Sequence, residues 1–169
     1  MKRNQLLLMT GLLSLLWISN LNAQNARSGD IAPHFTINTI SGKSFSLDAH
    51  KGKVVLVNFF STVCRWCIKE LPKLEKDVFL KYRKRNDFQI IAVARGQQKS
   101  TVEKFIRQRQ LTLPVAYDPQ QHVFRKYAEK MIPRTYVIGK DGKIKQVLVG
   151  YTEAEFKQLL KVIEYEFKK

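Results

Sequence analysis

The stretch Val54-Val55-Leu56-Val57-Asn58-Phe59-Phe60 constrains the fold of this chain more than any other. It carries no charge, and only Asn58 is polar. A strand with one wet face alternates apolar and polar side chains, whereas a continuous β-branched run suits a strand covered on both faces. Strands of that kind belong to parallel sheets whose crossovers are helices. Phe88 to Ala94, opened by Asn86-Asp87, is a second run of the same type.

The remaining elements follow from periodicity and punctuation. Phe35 to Ile40 and Ser44 to Leu47 flank Ser41-Gly42-Lys43 and predict a short hairpin. Ile68, Leu71, Leu74, Val78 and Tyr82 recur at three and four, which predicts a helix from near Cys64 to about Arg85. Pro72 falls inside it and is expected to kink it. Ser100 and Glu103 have capping-box spacing for a further helix, as do Thr152 and Glu155 for the last one. Leu113 to Tyr117 predicts a short strand, and Asp118-Pro119 a helix start with Pro in the first turn. Thr135 to Ile138 and Ile144 to Val149 predict a hairpin around Asp141-Gly142. The order is β-β-β-α-β-α-β-α-β-β-α, an α/β fold with a central mixed sheet flanked by helices.

A length of 169 residues supports one domain. With 44% hydrophobic and 26% charged residues, the composition excludes a disordered chain. Two cysteines exclude a disulfide-rich scaffold and leave one bridge, half a metal site or one redox pair.

Residues 1–23 have the layout of a secretory leader. Lys2 and Arg3 form a basic start, Leu6 to Ile18 an apolar run, and Ala23 a small residue at a plausible cleavage point. Thirteen helical residues span about 20 Å, short of a hydrocarbon core of about 30 Å, so a cleaved signal is favoured over a retained anchor. Residues 24–169 then form a single exported domain. Export places both cysteines where disulfides form and exchange, in the periplasm or on a membrane facing away from the cytoplasm.

Cys64-Arg65-Trp66-Cys67 lies where the buried strand hands over to a helix. At a helix start, residues three apart share a face, within reach of a small disulfide loop. Cys64 would sit at the helix end, where unpaired N–H groups and the dipole favour a thiolate, and Arg65 adds a positive neighbour. Cys67, one turn in, would be more buried and less reactive. An exposed nucleophile and a protected resolving thiol are the two parts that thiol–disulfide exchange needs. Three alternatives stand beside this reading. A structural Cys64–Cys67 disulfide would leave a basic exported binding module, but a four-residue loop constrains the unfolded chain little. A metal site lacks a second ligand pair, because His34, His50 and His122 are scattered. Haem attachment needs His after the second Cys, where this chain has Ile68. No cofactor is expected.

The segment from Phe59 through Cys64, Cys67 and Glu70 to Pro72 resembles the active-site stretch of thioredoxin-fold proteins, and more closely the exported TlpA/ResA-type thiol–disulfide oxidoreductases of the redoxin (AhpC/TSA-like) superfamily. Gly29-Asp30-Ile31-Ala32-Pro33-His34-Phe35 is similar to their N-terminal G-x-x-A-P-x-F. Met131-Ile132-Pro133-Arg134-Thr135, followed by Asp141-Gly142-Lys143, is similar to their I-P-x-T segment. The stretch between Ala94 and Tyr117 resembles the helix–strand insertion that separates this group from plain thioredoxin. The resemblance covers about residues 29–167.

It implies a thioredoxin-like fold and disulfide exchange with exported partner proteins, with Cys64 as nucleophile, Cys67 as resolver and an upstream thiol as electron donor. Reduction is favoured over oxidation, and apo-cytochrome maturation is one role within the family. Pro133 matches the family's cis-proline, and Ile132 before it the residue whose backbone holds an extended partner segment. Glu70 matches an acid/base glutamate near the thiols. Plain thioredoxins use a buried Asp in the central strand instead, where this chain has Asn58. A bland alternative makes Glu70 an acidic residue favouring the helix dipole. Val63 stands where the family usually has Trp, so Trp66 is expected to supply partner contact with Arg65 beside it. Peroxiredoxins share the fold, but their P-x-x-x-T-x-x-C pattern would need Pro at position 57 and Thr at 61, where this chain has Val57 and Ser61.

Lys and Arg number 30 against 14 Asp and Glu, a net charge of +16. Without residues 1–23 the balance is 28 against 14, or +14 over 146 residues. No base-stacking aromatics or groove-reading helix accompany the basic residues, so nucleic acid is not an expected partner. The charge reads as a solvated basic surface, with peripheral contact to an anionic membrane surface as the sharper alternative.

Overall fold

The computed structural model describes residues 25–169, so the leader expected over residues 1–23 lies outside the described residues. β1 (Thr36–Asn38) and β2 (Ser44–Ser46) pair antiparallel as a separate two-stranded sheet. The main sheet has five strands in the order β5-β4-β3-β6-β7. β3 (Val54–Phe60) is its centre and is buried at every residue, as its uncharged run requires. On one side β4 (Phe88–Arg95) and β5 (Val115–Asp118) run parallel to it. On the other, β6 (Arg134–Ile138) runs antiparallel to β3, and β7 (Ile144–Val149) antiparallel to β6. The Asp141-Gly142 turn joins them, with Gly142 at φ +75°, where a side chain would be strained.

Alternation along β3 separates two cores. Val55, Val57 and Phe59 pack with Phe35, Phe45, Phe124, Tyr127 and Tyr136. Val54 and Leu56 pack with Leu74, Val78, Leu159 and Ile163 on the opposite face. Each such side chain stabilises the fold by about 1.5–3 kcal/mol on burial. Asn58 belongs to the second face by parity and sits opposite Thr135 on β6. That register places the strand's one polar side chain against the helix that follows it.

The helix after β3 departs from a regular spiral. α1 (Arg65–Lys73) passes into a π-helical segment (Leu74–Phe79) and then a last turn, α2 (Leu80–Tyr82). Pro72 has no N–H to give to the preceding turn. Two residues on, the Leu74 N–H is shared between the carbonyls of Glu70 and Leu71, and the spiral widens from there.

Three local expectations are corrected. α3 (Lys99–Arg109) is capped at Gln98, with no side-chain cap bond, so Ser100 lies inside the first turn instead of at its end. The strand expected at Leu113 begins at Val115, because Leu113 leads into Pro114, which has no N–H for a ladder. No helix starts at Pro119. The Asp118 carboxylate instead accepts the N–H groups of Val123 and Phe124 at 3.1 and 2.9 Å, and α4 (Phe124–Tyr127) is a single turn.

α5 (Glu153–Phe167) starts where its box predicts. Thr152 Oγ1 accepts the Glu155 N–H at 3.2 Å and donates to Glu155 Oε2 at 2.6 Å. Thr152→Ala should cost about 1 kcal/mol. An unchanged denaturation midpoint would show that the helix is held by its packed face alone.

Candidate active site

β3 ends at Phe60, and a short turn delivers Cys64 to the N-terminus of α1. Cys64 is the N-cap residue, with extended backbone (φ −82°, ψ 114°), and its sulfur accepts the Cys67 N–H at 3.3 Å. Cys64 is half-buried and Cys67 wholly buried, and both are free thiols, so the geometry is that of the dithiol. The turn is fixed from the β4–α3 loop. Gln97 Oε1 accepts the Thr62 N–H at 2.9 Å, and Gln97 Nε2 donates to Thr62 Oγ1 at 2.7 Å.

The loop before β6 closes the site from the other side. The Ile132–Pro133 peptide is cis. The Ile132 carbonyl faces Cys64 and accepts from its thiol at 3.8 Å. Around Cys64 lie exposed apolar side chains. Val63 is 84% exposed and Met131 57%. Trp66 is exposed as well, and Arg65 and Lys69 sit 4.6 and 4.8 Å from its ring centre. Both cations therefore lie against the aromatic ring on the turn that follows Cys64.

Behind the thiols lies a closed polar triangle. Glu70, Asn58 and Thr135 are each 0% exposed, so every polar contact there is made in a dry setting. Asn58 Nδ2 donates to Glu70 Oε2 at 2.9 Å and to Thr135 Oγ1 at 2.8 Å. Thr135 Oγ1 in turn donates to Glu70 Oε1 at 2.9 Å. Burial pushes the Glu70 carboxyl up to about 7, against the downward pull of the Thr135 and Asn58 bonds. Burial also pushes the Cys67 thiol up. The sulfur of Cys64 and the negative charge of Glu70 add to that rise.

The sequence pointed to the two cysteines, Glu70, Ile132 and Pro133, and the fold brings all five to one end of the sheet. Two contributors to which it gave no role are Thr135, which only completes the I-P-x-T segment there, and Gln97. Thr135 lies two residues after Pro133 and is aimed at Glu70 only because β6 alternates. Gln97 is distant in sequence from Thr62, and no local signal marks the pair. Asn58 stands where plain thioredoxins have an Asp, and its bond to Glu70 depends on strand register that only the fold supplies. Among the described residues no group of His, Cys, Asp or Glu could hold a metal ion.

This arrangement, a buried-strand-to-helix junction carrying C-x-x-C against a cis-proline loop, defines a thioredoxin-like disulfide oxidoreductase. The AhpC/TSA family profile matches residues 28–147, and the chain belongs to that family. It is 34% identical over 137 residues to the thiol-disulfide oxidoreductase ResA of Geobacillus thermodenitrificans, covering 80% of this chain and 78% of that one. The ResA of Bacillus anthracis is 33% identical over 136 residues, with 80% and 78% covered. The solution structure of a candidate protein disulfide isomerase from Bacteroides thetaiotaomicron superposes with a TM-score of 0.82 at 36% identity, covering 85% of this chain and 92% of that one. StoA from Bacillus subtilis superposes at 0.65 with 25% identity, covering 78% and 98%.

Proposed function

We propose that the chain reduces disulfides of exported partner proteins, with Cys64 as nucleophile, Cys67 as resolving thiol and Glu70 as the proton acceptor. The observation that carries this reading is the asymmetry of the pair: Cys64 half-buried at the helix end, and Cys67 wholly buried, its thiol pushed up by burial, near the buried Glu70 carboxyl. The Cys64 thiolate attacks one sulfur of the partner disulfide, and the partner's other sulfur leaves as a thiolate and takes a proton. Cys67 gives its proton to Glu70 and attacks the Cys64 sulfur. The second partner sulfur leaves reduced, and Cys64–Cys67 remains as a disulfide. Two electrons from an upstream dithiol restore the pair.

The partner segment would lie along Met131 and Ile132. Among the described residues the Ile132 N–H donates to no acceptor, which leaves it for an extended chain. Val63, Trp66 and Met131 supply the apolar contact, and Arg65 the charge. Export rests on residues 1–23, cleaved or retained as an anchor. No described helix is long and apolar enough to cross a membrane. The surplus of Lys and Arg supports peripheral contact with an anionic surface, weakening as salt rises.

The reduction potential tests direction. Equilibrating the pair against glutathione should give about −250 mV or lower. A value near roughly −120 mV would make the protein an oxidant and reverse the reading.

A further inference from the structure

Arg134 follows Pro133 directly, and β-strand alternation turns its side chain to the face opposite Thr135. It is only 7% exposed, which is unusual for a guanidinium with no carboxylate beside it. Nη1 donates to Asn25 Oδ1 at 3.1 Å and to the Tyr136 hydroxyl at 3.4 Å. Nε is buried and has no acceptor among the described residues. None of the ion pairs among the described residues includes Arg134. Residues 1–24 contain no Asp or Glu, so that part of the chain has no carboxylate side chain to offer either. A buried guanidinium has five donors and strongly favours an anionic partner.

The guanidinium lines a cavity of about 450 Å³ between the N-terminal arm and β7. Arg27, Lys145 and Gln146 share the lining, with Val147 and Val149 as an apolar wall. Three cations and no acid face this space. Asp141 holds the Lys145 ammonium at 2.7 Å, so the free positive charge falls to Arg134 and Arg27.

We propose that this cavity is a carboxylate-binding site. The ligand's carboxylate is seated on the Arg134 guanidinium, whose planar fork matches it, and its carbon part lies against Val147 and Val149. The carboxylate belongs either to a free small dicarboxylate or to an acidic side chain of a bound polypeptide. The site is separate from the redox centre: it lies on the far face of β6, so its test does not depend on the thiols.

The test uses the full chain, labelled with ¹⁵N, and follows the Arg134 Nε–H signal and the backbone amides of Val147 and Val149, which serve for the variants too, during titration with succinate, with ionic strength held constant by chloride. A parallel titration uses the peptide acetyl-Gly-Asp-Gly-amide. A saturable shift with either probe is expected, weakened at least tenfold by Arg134→Met and about threefold by Arg27→Gln. Tenfold tighter binding of succinate than of the peptide identifies a free dicarboxylate, and the reverse identifies an acidic side chain. Shifts that stay linear with both probes, or binding that neither substitution weakens, overturn the proposal. Arg27 is exposed, so Arg27→Gln keeps the test decisive if Arg134→Met does not fold.

Discussion

Cys64→Ser should abolish disulfide exchange, lowering the rate of reduction of a model peptide disulfide by at least about a thousandfold. The reason lies in the asymmetry of the pair. Cys64 is half-buried at the helix end, while Cys67 is wholly buried and burial holds its thiol protonated. An approaching disulfide can reach only the first sulfur, so Cys67 cannot take over when Cys64 is lost. Cys67→Ser should act differently. The first attack still occurs, but no thiol remains to release the partner, and the mixed disulfide accumulates. Non-reducing electrophoresis of the exported proteins of cells carrying Cys67→Ser should show adducts that dithiothreitol dissolves. If that variant captures nothing through Cys64 while the wild type is active, the assigned order of attack is wrong.

Glu70→Gln should slow exchange about a hundredfold and remove a pH-dependent part of the stability. In the folded protein the carboxyl titrates at about 7, against an ordinary value of 4.5. A carboxyl whose value rises on folding binds its proton more tightly in the folded state. Its contribution to stability is fully present below about pH 4.5 and is lost as pH rises through about 7. The difference amounts to roughly 3 kcal/mol across that window. Urea denaturation at pH 4 and pH 8 should therefore show the wild type weakening with pH more steeply than Glu70→Gln. Thr135→Val removes a bond that pulls the carboxyl down, so the pH–rate profile should move to higher pH while both thiols remain. A profile unchanged by Glu70→Gln would take the carboxyl out of the mechanism.

Much of this architecture was legible in short stretches of sequence, for reasons that are themselves local. β3 was readable because seven consecutive residues without charge have few other places to go. The C-x-x-C pair was readable because its chemistry and spacing coincide on one helical turn. The Thr152 box was readable because cap and partner are three residues apart. What escaped depends on distance along the chain. Ser100 and Glu103 have the same box spacing, yet α3 begins two residues earlier than that cap would place it, at Lys99. Pro119 looked like a helix start, but Asp118 spends its carboxylate on amides five and six residues ahead and holds a loop there. The triangle of Asn58, Glu70 and Thr135 joins residues up to 77 apart and needs the β3–β6 register before any of its bonds exists. The basic surplus carries no motif of its own and reads as a solvated surface. In the fold, Asp87 and Glu164 among others are each held by Lys or Arg on the surface.

The sulfur that caps α1 has a rival for its position. Serine, threonine, aspartate and asparagine close helix ends better than a thiol, which is a weak acceptor. At Cys64 the chain keeps the poorer cap because only sulfur can react there. Random substitution selected for thermal stability alone should therefore drift toward oxygen at this one position, and the fold would lose its chemistry while its helix gained.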